Sequence, residues 1–208
     1  MSDQAKRLIG LTGGIGTGKT TVSNYLAQTY QLPVLDADIY AREAVQLGSP
    51  ILEQIFERYG LEMQLPDGKL NRQRLGEIVF SNPEQMQWLE QQIHPYVRDR
   101  FQAELAKLAA PTIVLVIPLL FEAGLTNLVT EIWVVSCSAQ QQLKRISQRN
   151  NLSLEQAQSR INSQLPLAEK VTRADVVLDN SSTVDELLKQ VDQVLGLTVR
   201  SNQMPLAQ

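Results

Sequence analysis

Residues 13–20 read GGIGTGKT, and this stretch decides the fold that we expect of the chain. It matches the pattern G-x-x-x-x-G-K-[ST], in which glycines let the backbone turn and direct several N–H groups towards anionic oxygens. In such a loop Lys19 reaches the terminal phosphates of a nucleotide, and the Thr20 hydroxyl ligates Mg²⁺. A helix that follows the loop adds its positive N-terminal end. The stretch therefore predicts a phosphate-binding loop.

The residues on both sides of the loop favour the same interpretation. A strand-like apolar run, 8–12, precedes it, and Val22, Tyr25 and Leu26 follow it at the spacing of one helix face. A strand, a glycine-rich loop and a helix are the context that the motif requires. The alternative is a glycine-rich turn that binds no ligand.

Composition limits the classes of protein to consider. The chain has 208 residues and a formal net charge of −3, which suit one α/β domain with insertions and give no electrostatic reason to expect nucleic acid as a partner. The N-terminus lacks the apolar core of a signal peptide, and the longest apolar run, 113–121, is too short to span a bilayer. We expect a cytoplasmic protein without a membrane partner, a monomer or weak homo-oligomer.

The single cysteine, Cys137, is expected to be a buried small hydrophobe rather than a nucleophile.

Four further apolar runs predict additional strands. The run 112–117 is continuous and β-branched, as in a strand that is buried on both faces of a parallel sheet. The others are 32–38, 131–137 and 174–180. Together with 8–12 they predict five strands.

Two acidic residues, Asp36 and Asp38, end the run 32–38. Because ligands of open α/β sheets bind at the carboxyl ends of strands, these carboxylates could manage Mg²⁺ and a hydroxyl proton. They share a side for as long as the strand persists. The alternative is that one of them caps the next helix, as Asp38 would for residues 39–47. No aspartate ends the third strand, so one of the two is expected to organise the metal.

Residues 39–109 are expected to be mostly helical. A helix is predicted over 49–59, and another begins at 81–83, is broken at His94-Pro95 and resumes over 96–108. This insertion is too long for a simple crossover between strands. By analogy, a helical lobe inserted into a nucleotide-binding core holds the second substrate.

A polar and basic segment, 139–164, predicts a lid made of two helices. Ser153 and Gln156 form a capping-box pattern that opens the second helix. The planar guanidinium groups of Arg145 and Arg149 suit the clamping of phosphate oxygens. The alternative is a solvated basic face. A last helix is predicted over 184–195, followed by a frayed tail, 198–208.

From about residue 8 to residue 195 the chain resembles the dephospho-CoA kinases. The resemblance rests on separated segments: LTGGIGTGKTT (11–21), DADIYAR (36–42), LNRQRLGEIVF (70–80), HPYVR (94–98), VIPLLFE (116–122), QLKRISQR (142–149) and ADVVLDN (174–180). The phosphate loop alone indicates only an NTPase or a kinase. The DADIYAR, HP and PLLFE segments are more specific.

The resemblance implies the reaction ATP + 3′-dephospho-CoA → ADP + CoA, the last step of coenzyme A synthesis. It also implies an α/β fold of the P-loop type, three α/β/α layers around a five-stranded parallel sheet. The expected parts are a core (6–38, 111–140 and 174–197), a helical acceptor-binding lobe (about 39–110) and a helical lid (about 141–173).

Roles for particular residues also follow from the resemblance. Asp38 would orient or deprotonate the ribose 3′-hydroxyl, with Lys19 on the γ-phosphate and Arg149 in the lid as further catalytic groups. The expected ATP-binding residues are Gly14, Ile15, Gly16, Thr17, Gly18, Lys19, Thr20, Thr21, Arg145 and Asn180, the last beside the adenine. The expected acceptor-binding residues are Asp36, Arg42, Arg74, His94, Arg98, Pro118 and Glu122. Mg²⁺ would bind Thr20, with Asp36 as a further candidate ligand.

Some of these assignments leave alternatives open. Arg42 follows Asp38 by four residues and would share its helix face. His94 has an equally good structural role at the expected helix break. Another P-loop small-molecule kinase would need a different acceptor lobe. A GTPase-like switch would need an N-K-x-D segment and a D-x-x-G after the third strand, and the sequence has neither.

Overall fold

The computed structural model describes residues 6–201, and all of their side chains except those of Phe80 and residues 197–201. The elements in chain order are β1 (Arg7–Gly13), α1 (Lys19–Thr29), β2 (Val34–Asp36), α2 (Ala37–Glu43), α3 (Pro50–Tyr59), α4 (Arg72–Ser81), α5 (Pro83–Lys107), β3 (Thr112–Val116), β4 (Glu131–Ser136), α6 (Ala139–Asn150), α7 (Leu154–Asn162), α8 (Leu167–Thr172), β5 (Val176–Asp179) and α9 (Val184–Ser201). Residues up to Leu35 and from Ala110 onwards form one unit, here called the sheet unit, and Asp36–Ala109 form a second, the helical unit.

The sheet unit is built on five parallel strands in the order β2-β3-β1-β4-β5. In the centre of the sheet Ile9 is paired with Val114 of β3, and Leu11 with Trp133 of β4. Each observed strand overlaps its predicted run. The predicted five-stranded parallel sheet is therefore confirmed.

The core of this unit lies between the sheet and the helices that cover it. It is made of fully buried apolar side chains from β1, β3, β4 and β5 and from α1 and α9: Ile9, Leu11, Val114, Trp133, Val135, Leu178, Val22, Leu26, Leu187 and Val191. Burying one such aliphatic side chain stabilises a fold by about 1.5–3 kcal/mol. The predicted burial of Cys137 is confirmed, and burial raises the pKa of its thiol.

Strand β2 ends earlier than predicted, which separates the two aspartates. Asp36 is the last residue of β2 and the N-cap of α2, because its carboxylate accepts the N–H of Asp38 at 2.8 Å. Such caps satisfy N–H groups that a helix start leaves unbonded. Asp38 thus lies in the first turn of α2. The prediction that both carboxylates share one side of a strand was wrong, and so was the predicted helix span, 39–47.

The helical unit has its own apolar core. It is formed by buried side chains from α2 to α4 and the segments between them, Val45, Leu52, Ile55, Met63, Leu70, Leu75 and Val79. Helix α2 packs on α5, where the rings of Tyr40 and Phe101 meet edge to face with their centroids 5.1 Å apart. Ser49 caps α3 by accepting the N–H of Leu52.

Helix α5 is one continuous helix of 25 residues that contains Pro95 in its interior. The predicted break at His94-Pro95 was therefore wrong. An interior proline removes one backbone hydrogen bond and costs about 3 kcal/mol. Helix α5 persists because it is packed on both sides of the proline, where Val97 and Phe101 are buried and Ile93 joins the core.

The C-terminal helix is longer than predicted. Helix α9 runs to Ser201, whereas the sequence predicted an end near Leu195. The first residues of the predicted frayed tail, 198–201, are the last residues of α9, and 202–208 lie outside the described residues. Over the part of the chain that the structure describes, no helix has the length and apolar character needed to cross a membrane.

Candidate active site

The phosphate-binding loop connects β1 to α1 in a conformation that requires glycine. Gly13 has a φ of +144° and Gly18 a φ of +107°, in a region that residues with a Cβ rarely adopt. A Cβ on Gly13 would also collide with the carbonyl oxygen of Val135, and one on Gly18 with the side-chain amide of Asn180. These two glycines of the motif are therefore fixed by backbone geometry and by close neighbours.

Lys19 folds back over the loop. Its ammonium donates to the carbonyl oxygens of Gly13 at 3.0 Å and Gly14 at 2.8 Å. The Thr17 hydroxyl donates to the same Gly14 oxygen at 2.9 Å. These bonds turn the carbonyl oxygens of the loop towards protein donors.

Three side chains from distant segments complete this arrangement. The buried Gln142 of α6 donates to the carbonyl oxygen of Ile15 at 2.8 Å, and Gln164 accepts the Ile15 N–H at 2.9 Å. Asn180, which follows β5, donates to the carbonyl oxygen of Thr17 at 2.7 Å. The sequence indicated Asn180 but neither glutamine.

The remaining loop N–H groups have the arrangement of an anion site. The N–H groups of Gly16 and Gly18 donate to no residue within the described range, and α1 begins directly afterwards at Lys19. Successive N–H groups at a helix start, next to an ammonium, are the arrangement that binds phosphate. The loop predicted from GGIGTGKT is therefore present and preformed.

Thr20 fits the predicted role of a magnesium ligand. It is exposed on the first turn of α1, and its hydroxyl bonds to none of the residues described. No cluster of three histidine, cysteine, aspartate or glutamate residues occurs between residues 6 and 201. Mg²⁺ commonly takes few protein oxygens together with phosphate oxygens and water, so this hydroxyl suits an ion bridged to a nucleotide. One carboxylate oxygen of Asp36 is already used as the cap of α2.

Arg145 and Asn180 meet beside the loop. The guanidinium of Arg145 donates through Nη2 to the carbonyl oxygen of Asn180 at 3.1 Å. Its Nη1 and the Oδ1 of Asn180 are both buried without a hydrogen-bond partner in the described chain. A buried polar atom left unpaired costs about 1–3 kcal/mol. One unused donor and one unused acceptor at this corner suit a polar ligand, and the ATP-binding roles predicted for both residues stay predictions.

Pro118 and Glu122 belong to a network at the end of β3. One oxygen of Glu122 lies 2.7 Å from the ammonium of Lys170 and accepts the N–H of Leu165 at 2.9 Å. Lys170 also donates to the carbonyl oxygen of Pro118 at 3.1 Å, as does the Thr12 hydroxyl at 3.2 Å. The PLLFE segment is thereby tied both to α8 and to the strand that leads into the phosphate loop.

Arg149 lies exposed in the last turn of α6. Its Nε donates to the side-chain oxygen of Asn150 at 3.2 Å. A cation at this position is favoured by the helix dipole whatever its other role. Its predicted catalytic role stays a prediction.

In the helical unit the predicted residues cluster on α2. Asp36 is half-buried, and burial raises the pKa of its carboxyl, against the opposing effects of the Asp38 N–H and the Arg42 guanidinium. Asp38 and Arg42 are exposed, and the Asp38 carboxylate is hydrogen-bonded to no described side chain. Asp38 is therefore free to accept a proton or a hydroxyl hydrogen bond.

Three other predicted acceptor residues lie on α4 and α5. Arg74 is exposed and forms an ion pair with Glu77 at 3.0 Å. Arg98 is exposed one turn from His94. Burial lowers the pKa of His94; the charge of Arg98 adds to this effect, and Glu90 opposes it. None of the three has a contact that marks it as a ligand group, so their predicted roles stay predictions.

The fold and the loop define the class of this chain. A parallel α/β sheet whose first strand leads through GGIGTGKT into a helix is that of a P-loop nucleotide-binding protein. The family model described as dephospho-CoA kinase matches residues 7–186. A dephospho-CoA kinase from a Nostoc species is 65% identical over 191 residues, which cover 92% of this chain and 97% of the relative. The chain belongs to the dephospho-CoA kinase family.

Solved structures agree with this assignment. A dephospho-CoA kinase from Campylobacter jejuni is 31% identical, with a TM-score of 0.70 over 95% of this chain and 100% of that one. A Thermus thermophilus protein is 35% identical, with a TM-score of 0.77 over 93% of this chain and 98% of that one. The resemblance drawn from the sequence segments is therefore confirmed.

Proposed function

We propose that this chain transfers the γ-phosphoryl group of ATP to the ribose 3′-hydroxyl of dephospho-CoA, which gives CoA and ADP in the final step of CoA biosynthesis. Membership of the dephospho-CoA kinase family carries the proposal. The phosphate loop with its unpaired N–H groups supports ATP as the phosphoryl donor. The enzyme is a kinase, and the reaction needs neither nucleic acid nor a membrane. We expect it to act in the cytoplasm as a monomer or weak homo-oligomer.

The chemical step is a displacement at the γ-phosphorus. The 3′-oxygen forms a bond to phosphorus, the bond from phosphorus to the β,γ-bridging oxygen breaks, and ADP leaves with that electron pair. The hydroxyl proton passes to the carboxylate of Asp38 or, through it, to water. An unbonded, exposed carboxylate supports this role, and the Asp36 cap fixes the start of the helix that carries it. Most of the acceleration comes from positioning and charge neutralisation.

The phosphate loop binds the donor. The loop N–H groups that the protein leaves unpaired, those of Gly16 and Gly18, hold phosphate oxygens, and Lys19 neutralises charge on the γ-phosphate. When bound, Mg²⁺ would neutralise negative charge on the nucleotide phosphates. Thr20 would hold it, and Asp36 is the further candidate ligand. Asn180 and Arg145 offer the adenosine end of ATP an acceptor and a donor that the protein itself leaves unpaired.

The proposed lid and the proposed acceptor-binding lobe have separate roles in the reaction. Residues 141–173 act as a lid, and Arg149 reaches the transferred phosphoryl group when the lid closes. Closure excludes water and so limits the hydrolysis of ATP. Residues 39–110 bind dephospho-CoA with Arg42, Arg74, His94 and Arg98. Pro118 and Glu122 are the further candidates for contact with the acceptor.

The test is the formation of CoA, detected by mass, from ATP, Mg²⁺ and dephospho-CoA. Wild-type enzyme should give CoA, and Asp38→Asn should reduce kcat by about 10²–10⁴-fold, the usual contribution of a positioned proton acceptor. Undiminished turnover in Asp38→Asn would remove the proposed role of Asp38 but keep the reaction. Folded wild-type enzyme that makes no CoA, yet phosphorylates another alcohol, would overturn the proposed function.

A further inference from the structure

The helical unit contains a cavity of about 220 Å³ that includes none of the predicted site residues. The wall is aliphatic and comes largely from α2, α4 and α5, with Ala41, Val45, Leu75, Val79, Leu89 and Ile93. The lining side chains, Arg72 apart, carry no hydrogen-bonding group. The cavity therefore suits a branched hydrocarbon group rather than a nucleobase, whose ring nitrogens need partners.

Arg72 brings a positive charge to this cavity and to α2. It is part of the cavity lining, and its Nη2 donates to the carbonyl oxygen of Arg42 at 3.2 Å. Neither Arg42 nor Arg72 forms an ion pair with any residue that the structure describes. Burial and, after it, the charge of Arg42 lower the pKa of Arg72. Two neighbouring guanidinium groups that form no ion pair with a described residue are ready to bind an anion, although Asp36 lies close enough for the charge of Arg42 to act on its carboxyl.

We propose that Arg42, Arg72 and the aliphatic cavity bind the junction between the diphosphate and the pantetheine arm of dephospho-CoA. The two arginines hold the diphosphate, and the cavity takes the gem-dimethyl group of the arm. This inference rests on the proposed function and assigns a binding role to Arg72 and to the cavity.

The covalent structure of the acceptor matches this arrangement. In dephospho-CoA a single methylene separates the ester oxygen of the diphosphate from the carbon that bears the two methyl groups. An anion and a branched aliphatic group thus lie side by side, as do the guanidinium of Arg72 and the aliphatic wall. Arg42 follows Asp38 by four residues, about 6 Å along the helix axis. The 3′-hydroxyl and the 5′-diphosphate of the acceptor are joined to the same ribose, so both can meet α2.

Arg74, which is among the acceptor-binding residues expected from the resemblance, has a different environment. It is paired with Glu77, whereas Arg72 has no carboxylate partner among the described residues. Of the two arginines in the LNRQR segment, Arg72 is the one that lines the cavity.

The experiment combines kinetics with direct binding. Arg72→Gln should raise the KM for dephospho-CoA by about tenfold or more, the loss expected for a charge-assisted hydrogen bond, and leave the KM for ATP unchanged. Gly76→Leu, which fills the cavity from α4, should also raise the KM for dephospho-CoA. Gly76→Ala is the milder variant should Gly76→Leu fold poorly. Arg58→Gln, which makes the same charge change at an exposed site on α3, should leave both KM values unchanged.

The binding arm uses 4′-phosphopantetheine, which carries the phosphate and the gem-dimethyl group but no adenosine. Titration calorimetry should detect binding to wild type that weakens in Arg72→Gln and in Gly76→Leu. Wild type that makes CoA while both variants keep their KM for dephospho-CoA would overturn this inference and leave the function standing. If wild type makes no CoA, the titration with 4′-phosphopantetheine still tests the inference. No binding by wild type, or equal binding by wild type and the variants, would overturn the inference. The inference would also be overturned if Gly76→Leu abolished the binding of AMP but not that of 4′-phosphopantetheine, because the cavity would then hold adenine.

Discussion

The ammonium of Lys170 is completely buried and lies 2.7 Å from a carboxylate oxygen of Glu122. The pair joins α8 to the segment that follows β3. It is also linked to β1, the strand that leads into the phosphate loop, because Lys170 and Thr12 donate to the same carbonyl oxygen, that of Pro118. A buried cation needs its counter-ion, so this pair controls both stability and the position of the PLLFE segment.

Removal of the Glu122 carboxylate alone should destabilise the fold more than removal of both charges of the pair. Glu122→Gln leaves Lys170 buried without a counter-ion and should lower the free energy of unfolding by about 3 kcal/mol. Lys170→Met removes the buried charge itself, so the double variant should recover part of the loss of Glu122→Gln. Urea unfolding of the three variants forms the double-mutant cycle that measures the coupling.

The control for this cycle is an exposed ion pair on α9. Lys189 and Glu186 lie 2.8 Å apart, and more than half of each side chain is exposed. Glu186→Gln and Lys189→Met should leave the unfolding midpoint almost unchanged. Additive effects at Glu122 and Lys170, as at the control pair, would contradict the prediction.

Asn180 should control the affinity for ATP. Asn180→Asp keeps the shape of the side chain but replaces the donor that holds Thr17 with an oxygen and adds a negative charge beside the phosphate loop. We expect the Kd for ATP, measured by calorimetry, to rise by about tenfold or more. Asn127→Asp, the same charge change at an exposed site of the sheet unit, is the control. A Kd for Asn180→Asp that equals that of the control would remove Asn180 from the ATP site.

Local signals in the sequence predicted the strands and the phosphate loop. The loop follows from eight consecutive residues, and the strands from short apolar runs. The contacts of Gln142 and Gln164 could not be predicted, because their partner Ile15 lies 127 and 149 residues away in the sequence. An isolated glutamine also belongs to no recognisable motif. The continuity of α5 through Pro95 could not be predicted for a similar reason. Tertiary packing on both sides of the proline outweighs the free-energy cost of a proline within a helix.

The choice between Arg72 and Arg74 could not be made from the sequence either. Both arginines lie in the same basic segment. Only the tertiary structure shows that Arg74 forms an ion pair with Glu77 and that Arg72 lines the cavity. The separation of Asp36 from Asp38 depended on whether the chain continued as a strand or turned into a helix. The cap bond between them decides this, and the sequence allowed both outcomes.

His94 should make stability depend on pH in a definite direction. Burial lowers its pKa below the usual value of 6.5, so the unfolded chain binds this proton first as the pH falls. The contribution of His94 to stability is therefore complete above about pH 6.5 and is lost as the pH falls towards the lower pKa of the folded state. Between about pH 7.5 and about pH 5.5, the Tm of wild type should fall more than that of His94→Gln. Equal falls in the two proteins would contradict the prediction, and a raised KM for dephospho-CoA in His94→Gln would support its predicted contact with the acceptor.

Gly18 should tolerate no side chain, because two independent features oppose one. Its φ of +107° is strained for any residue with a Cβ, and that Cβ would collide with the amide of Asn180. Gly18→Ala should therefore cost about 1–3 kcal/mol of stability and should weaken ATP binding, since the N–H groups of the loop lose their alignment. Gly196→Ala is the matched control: it lies in α9 with nothing within 4 Å of an added Cβ. The control should stabilise the protein by about 0.5–1 kcal/mol, as alanine does in place of glycine within a helix. Thermal unfolding and ATP titration of both variants test this, and Gly18→Ala with wild-type ATP affinity would contradict a loop that binds phosphate through its backbone.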